Sequence, residues 1–414
     1  MSAERRVVIT GVGAVTPIGA DKEDLWRGVL EGRRGGRLIT LFDASAYPSR
    51  VACEVPGFDP LDYLDAKRAR RLDRCSQFGL AAARMAVADA GLEMGRENRA
   101  RVGVYIGSAL GGISYAEDQH QDFMAGGLRH VSPMLALAVF GGANAANVSM
   151  ELGAEGPSLG NANSCASGAI GVGDAFRAIR RGDVDVAVAG GAEAPLAPLT
   201  FGAFAVIKAM STRNDDPAAA SRPFDRDRDG FVMAEGAGIL VLEEYGHAVR
   251  RDAPIYGEVR GFGVTSDAYH MTSPRPDATQ SARAMSLALE EAALPPDAID
   301  YVAAHASATR LNDSTETLAI KKALGEHAYY VPVSGTKGMH GHALGASGAI
   351  ELVICALALE RGVLPATVNL FEPDPDCDLR LVRDHPVAQR ITTMLKNSFG
   401  FGGINAALVL GAVE

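Results

Sequence analysis

Residues 161–182 read NANSCASGAIGVGDAFRAIRRG, and residues 334–362 read SGTKGMHGHALGASGAIELVICALALERG. Each stretch begins as a loop of small residues and opens into a helix. A strand-like run is read after each, VDVAVAGGAEA at 184–194 and LPATVNL at 364–370. Upstream the same order recurs. Helix-like SQFGLAAARMAVADAGL (76–92) leads into RVGVYIGSALGG (101–112), and SARAMSLALEEAALPPDA (281–298) leads into IDYVAAHASAT (299–309). Apolar strands alternating with helices predict an α/β protein with mostly buried sheets. The matching order predicts two similar halves, residues 1–250 and 251–414. In such sheets ligands gather beyond the carboxyl ends of strands, where loops of both halves can meet.

Composition agrees with a large buried core. The chain has 414 residues, 47% hydrophobic and 22% charged. At about 150 residues per domain that is two to three domains or one large α/β unit. No apolar run approaches the roughly 18 residues that span a bilayer. The start, MSAERRVVITGVG, reads without a signal-peptide core. Five cysteines without paired spacing (Cys53, Cys75, Cys165, Cys355 and Cys377) argue against a disulfide framework and for a reducing cytoplasm. The net charge of −10 argues against a nucleic-acid partner. One local exception is the basic run of Lys67, Arg68, Arg70, Arg71 and Arg74. It reads either as a solvated helix face or as a docking patch for an acidic partner.

Cys165 sits in Asn-Ser-Cys-Ala-Ser-Gly-Ala, where strand gives way to helix. A cysteine at a helix N-terminus feels the positive end of the macrodipole, which favours thiolate. The alternative is a buried cysteine acting as a small hydrophobe. Cys53, Cys75, Cys355 and Cys377 lack such a setting. His305 follows the apolar run 299–304 and emerges at a strand's carboxyl end; His342 lies in the small-residue loop of the second half. One cysteine and two histidines raise the question of zinc, but no tight ligand spacing supports a metal. The Gly-rich stretches also lack the phosphate-loop ending.

Seven separated motifs then carry a resemblance over nearly the whole chain: VVITGVGAVTPIG (7–19), GPSLGNANSCASG (156–168), STRNDDPAAASRPFDRDRDGFVMAEGAG (211–238), TSDAYHMTSP (265–274), AHASATRLND (304–313), GTKGMHGHALGASGAIE (335–351) and NSFGFGG (397–403). The chain resembles β-ketoacyl-acyl carrier protein synthases of the thiolase superfamily. The resemblance implies the duplicated five-layer αβαβα sandwich. It places the nucleophile on Cys165, the active-site histidines on His305 and His342, and the family's lysine on Lys337. It places supporting acids on Asp313, Glu316 and Glu351, and the gating phenylalanine on Phe401. Lys337, paired with Glu351, is expected to hold His342, and His340 has no counterpart. Leu110 and Leu135 match tunnel-lining positions, with ordinary core leucines as the alternative. The Lys67–Arg74 segment and Lys208 match where the family docks its acidic carrier protein. No bound cofactor is implied, since substrates ride on carrier-protein phosphopantetheine. A dimer is implied, either with a second copy or with a paralogous chain-length-factor subunit.

One motif departs from the family. His-Gly-Thr-Gly-Thr is replaced by His305-Ala306-Ser307-Ala308-Thr309, so two alanines would restrict the backbone or crowd the pantetheine approach. Arg310-Leu311-Asn312-Asp313 resembles type II polyketide ketosynthases, whereas TSDAYHMTSP and NSFGFGG also fit fatty-acid elongation. The reading favours a type II polyketide catalytic subunit, with a fatty-acid elongating synthase as the alternative. A non-catalytic chain-length-factor subunit is disfavoured by Cys165, and a thiolase by the absence of a second catalytic cysteine.

Overall fold

The computed structural model describes residues 5–413. Ten strands form one continuous sheet: β1 (Val7–Val15), β2 (Val102–Gly107), β3 (Ser158–Asn161), β4 (Val186–Glu193), β5 (Gly236–Glu244), β6 (Gly257–Ser266), β7 (Tyr301–Ala303), β8 (Val333–Ser334), β9 (Thr393–Gly400) and β10 (Ile404–Gly411). The order is β8-β7-β9-β10-β6-β1-β5-β4-β2-β3. Counted outward from the middle, β1-β5-β4-β2-β3 and β6-β10-β9-β7-β8 repeat one pattern, two antiparallel pairings followed by two parallel ones. The halves join where Val7, Val8 and Ile9 pair with Val259, Glu258 and Gly257.

Helices build the remaining layers: α1 (Arg74–Asp89), α2 (Ala143–Leu152), α3 (Ser167–Arg181), α4 (Thr279–Glu291), α5 (Arg310–Leu324) and α6 (Leu344–Arg361). α3 and α6 pack against each other between the two halves of the sheet, α1 and α2 cover the first half, and α4 and α5 cover the second. This is the five-layer thiolase-like sandwich. The strands show why it forms. In β5, Ile239 and Val241 face the core under α1, while Leu240 and Leu242 face the central helices. In β10, Leu408 and Leu410 point inward, and Ala407 and Val409 outward. With both faces covered, the strands read as continuous apolar runs. α6 is buried all round from Leu344 to Leu359, as expected of a helix that is hydrophobic on every face. Close helix approach needs small residues: a Cβ at Gly168 would lie 2.8 Å from the Ala349 Cβ.

Local signals set the helix ends. The Asp73 carboxylate accepts from Ser76 N at 3.0 Å and caps α1, and Gly182 (φ +81°) and Gly362 (φ +62°) end α3 and α6 in the left-handed region. One strand is displaced from its expected place. Of LPATVNL only Leu364 enters a strand, in the two-stranded ribbon of Val363–Leu364 with Val387–Ala388. Pro365 has no N–H for a ladder, and the sheet strand of the second half comes later, at Thr393–Gly400. No helix among the described residues is long and apolar enough to cross a membrane.

Candidate active site

Cys165, His305 and His342 line one cavity of about 830 Å³, together with Leu344, Phe399 and Phe401. Beyond β3 the chain passes through Ser164 (φ +53°) into a single 3-10 turn, Ser164–Ala166, before α3 begins. Ser167 Oγ donates to the Ser164 carbonyl at 2.7 Å and holds that turn. Cys165 therefore sits in the turn that precedes the helix, 7% exposed. Contrary to the expected lowering, burial pushes its thiol above the ordinary range; the Ser164 hydroxyl, the Lys337 charge and the Phe401 N–H oppose that push. The other cysteines are also buried. Burial pushes Cys53, Cys355 and Cys377 up to about 12, which keeps them inert.

His305 lies two residues past β7, on a loop held by carboxylates of α5. Glu316 accepts from His305 N at 2.7 Å and Ala306 N at 2.8 Å, and Asn397 Nδ2 donates to it at 3.1 Å. Asp313 accepts from Ala308 N at 3.2 Å and Phe224 N at 2.8 Å. The two carboxylates thus shape a backbone that alanine resists: Ala306 has φ +43° and Ala308 φ +63°. Left-handed backbone costs an L-residue roughly 1–2 kcal/mol. The methyl groups do not crowd the cavity, since both alanines are fully buried and Ser307 and Thr309 form the lining. Gly335 makes room for one of them: a Cβ there would lie 2.3 Å from the Ala306 Cβ.

His342 donates its backbone N–H to the Val232 carbonyl at 2.7 Å, and its Nδ1 faces Ser347 Oγ at 2.8 Å. The Phe231 ring meets it edge-on at 5.2 Å, and the two imidazole centroids stand 5.4 Å apart. Burial, reinforced by the Lys337 charge, pushes both histidines well below their ordinary range, so both are neutral at pH 7.

Lys337 is fully buried and serves His305 rather than His342. Its Nζ donates to the His305 carbonyl at 2.5 Å and to Glu351 Oε1 at 2.6 Å, and lies 3.4 Å from His305 Nδ1. Between Lys337 and His342 the chain passes through Gly341 at φ +71°, and the His342 ring meets Ser347 instead. An ammonium facing Nδ1 leaves that nitrogen as the acceptor and puts the His305 proton on Nε2. Sequence reasoning missed Lys396. This lysine on β9 is also fully buried, and its Nζ lies 2.8 Å from Glu351 Oε2 as an ion pair. Glu351 is therefore clasped by two ammoniums, which hold its carboxyl below the usual range against the effect of burial. The available signal was a lysine directly after the apolar pair Met394-Leu395 in a strand-like run. Ser347, which orients His342, carried none. His340 does not line the cavity; it is buried, pushed down to about 4 by burial, and meets Thr336 Oγ1 at 3.0 Å.

Phe401 walls the cavity, its ring 6.3 Å from Phe204 and nearly parallel to it. Leu110 packs against the cluster of Cys165, Phe201 and Leu344 without lining the cavity. Leu135 is half-buried on the turn Leu135–Ala138, also outside the lining. Lys208 stands exposed at the cavity wall. Lys67, Arg70 and Arg71 are exposed elsewhere, whereas Arg68 is paired with Glu151 and Arg74 with Glu235 at 2.8 and 2.7 Å.

Comparison with known proteins places this arrangement. Residues 4–248 match the family model for the N-terminal domain of beta-ketoacyl synthase, and residues 256–371 match the model for its C-terminal domain. The chain belongs to the β-ketoacyl synthase family. A 3-oxoacyl-[acyl-carrier-protein] synthase 2 of Synechocystis sp. is 45% identical, covering 98% of this chain and 97% of its own. One from Coxiella burnetii is 44% identical over 99% of each chain. Among solved structures, the ishigamide ketosynthase/chain length factor superposes with a TM-score of 0.94 at 36% identity, over the full length of both chains. A type II polyketide ketosynthase in complex with its acyl-carrier protein superposes with a TM-score of 0.91 at 35% identity, covering 99% of this chain and 100% of that one. As a β-ketoacyl synthase, the chain is a condensing acyltransferase.

Proposed function

We propose that this β-ketoacyl synthase lengthens acyl chains on an acyl carrier protein by decarboxylative condensation, with Cys165 as nucleophile. The observation that carries the reading is the convergence of one cysteine and two neutral histidines on a single cavity. In the first half-reaction Cys165 sulfur attacks the acyl thioester, and the carbonyl–sulfur bond to phosphopantetheine breaks. The thiol proton ends on the departing pantetheine thiol. Backbone N–H groups of Cys165 and Phe401 stabilise the oxyanion, an effect of about 3–4 kcal/mol per donor in comparable sites.

In the second half-reaction the malonyl thioester loses carbon dioxide. Neutral His305 and His342 donate Nε2–H bonds to its carbonyl oxygen as enolate charge develops. A neutral imidazole keeps one N–H, which is the donor this step uses. The enolate carbon attacks the acyl carbonyl on Cys165, and collapse expels the sulfur, which takes a proton from solvent. Lys337, Glu351 and Lys396 hold His305 in its tautomer, and Asp313 and Glu316 hold its backbone.

The substrate reaches Cys165 on phosphopantetheine, without a resident cofactor. Lys208 at the mouth, with exposed Lys67, Arg70 and Arg71, supplies positive charge for an acidic carrier protein. The full-length relatives favour fatty-acid elongation, the alternative of the sequence reading, over the polyketide role. The Arg310–Asp313 motif and the solved polyketide ketosynthases keep the polyketide role as the second reading.

Purified chain, acyl- and malonyl-carrier protein, and intact-mass readout test both. A two-carbon gain by the chain alone, lost in Cys165→Ala, supports the elongating synthase. Activity only with a paralogous chain-length-factor subunit supports the polyketide role. Undiminished condensation by Cys165→Ala refutes the mechanism.

A further inference from the structure

Glu193 at the end of β4 is a fully buried carboxylate to which the chemistry above gives no part. Four donors converge on it from two elements. Its Oε1 accepts from Ser108 Oγ at 3.0 Å and Leu110 N at 3.1 Å. Its Oε2 accepts from Ala109 N at 2.6 Å and Gly345 N at 3.0 Å. The first three belong to the loop after β2, and the last to the start of α6. These elements meet so closely that a Cβ at Gly345 would lie 2.3 Å from Ala109 N and 2.6 Å from Glu193 Oε2. Each carries a side chain of one apolar cluster: Leu344 belongs to the cluster that contains Cys165, and Leu110 packs against it.

We infer that Glu193 is a positioning residue that locks Leu110 against Leu344 beneath Cys165 and so sets which acyl lengths the enzyme accepts. The inference rests on the reading of Cys165 as the acylated residue. Its physical basis is the cost of the alternative. A buried carboxylate is tolerated only when donors surround it, and every donor loses its partner if the carboxylate is removed. Burial pushes Glu193 up to about 7 against the pull of those four donors. The titratable groups beside it are Cys165 and Cys75.

Glu193→Gln separates the two attachments. An amide oxygen at the Oε2 position keeps Ala109 N and Gly345 N. The NH₂ then faces Ser108 Oγ, which can turn and accept, and the Leu110 N–H, which cannot. Leu110 alone is released. The test measures Cys165 acylation by acetyl-, octanoyl- and hexadecanoyl-carrier protein, using intact mass, for wild type, Glu193→Gln and Ser108→Ala. The expected result is a hexadecanoyl-to-acetyl rate ratio raised about tenfold in Glu193→Gln, the discrimination usual for a reshaped apolar pocket. Ser108→Ala keeps the carboxylate, guards against a folding failure of the first variant, and shifts the ratio the same way by less. Equal loss at all three lengths, or an unchanged ratio in both variants, overturns the inference. Failure of wild type to acylate at Cys165 overturns instead the reading on which it rests.

Discussion

Replacing Glu351 by glutamine removes a carboxylate clasped by two buried ammoniums, Lys337 at 2.6 Å and Lys396 at 2.8 Å. At an effective permittivity of about 20, each contact is worth about 6 kcal/mol of attraction before desolvation is subtracted. The native pair largely balances that desolvation, but the variant keeps two ammoniums in the interior with no counter-charge from residue 351. Breaking a buried pair in this way costs about 3–5 kcal/mol. Urea unfolding at pH 7 should show that loss for Glu351→Gln and a smaller one for Lys396→Met, which leaves the Lys337–Glu351 pair intact. The deficit should also depend on pH. Burial already lowers the Lys337 pKa in the fold, and losing Glu351 lowers it further. A base whose folded pKa is depressed binds fewer protons folded than unfolded, so stability rises with pH up to about 10.4, the ordinary lysine value. The variant should therefore recover part of its deficit between pH 7 and pH 9. A loss under about 1 kcal/mol at pH 7 or a deficit that grows with pH would refute the charge-balance argument.

Three other outcomes follow from the same structure. Gly335→Ala places a Cβ 2.3 Å from Ala306 Cβ and should cost about 1–3 kcal/mol by overpacking. Ala306→Gly in the same chain should restore most of it, which a double-mutant cycle by urea unfolding reads directly. Glu243 is held at about 2 because bonds from Arg251, His247 and Thr10 outweigh burial. Its stabilisation should be complete above the unfolded value near 4.5 and be lost as pH falls towards 2; Arg251→Ala should flatten that loss in acid unfolding curves. Since His305 and His342 lie well below 6.5, the condensation rate measured in single turnover should stay flat as pH falls through 6.5. A drop of tenfold or more there would show that one of them titrates.

Much of the site was legible because its residues stand at changes of pattern. Cys165 ends a strand-like run, His305 ends another, and His342 sits in a loop of small residues, so pattern singled them out as candidates and the family resemblance gave them roles. The repeated order of helix and strand likewise announced the duplicated sheet. The second half's return strand was misread because LPATVNL is apolar and short. Pro365 and the 28 residues from Val363 to Arg390 only make sense once Thr393–Gly400 is seen paired to β7 and β10. The Lys337 contact expected at His342 falls instead on His305, 32 residues away in sequence.

The amino-acid sequence by itself determined the layers, the order of the repeat and, through the motifs of the family it resembles, the candidate reacting groups. The layers and the repeat depend on local periodicity, which any short window carries, and the candidate groups on motifs spread along the whole chain. Tertiary structure alone decided the electrostatics. Burial, not helix position, governs the Cys165 thiol, and the neutrality of the histidines comes from burial beside the Lys337 charge. Lys396 meets Glu351 across 45 residues of sequence, and Glu193 meets Gly345 across 152. A charge acts through distance and surrounding permittivity, and neither exists until the chain has folded.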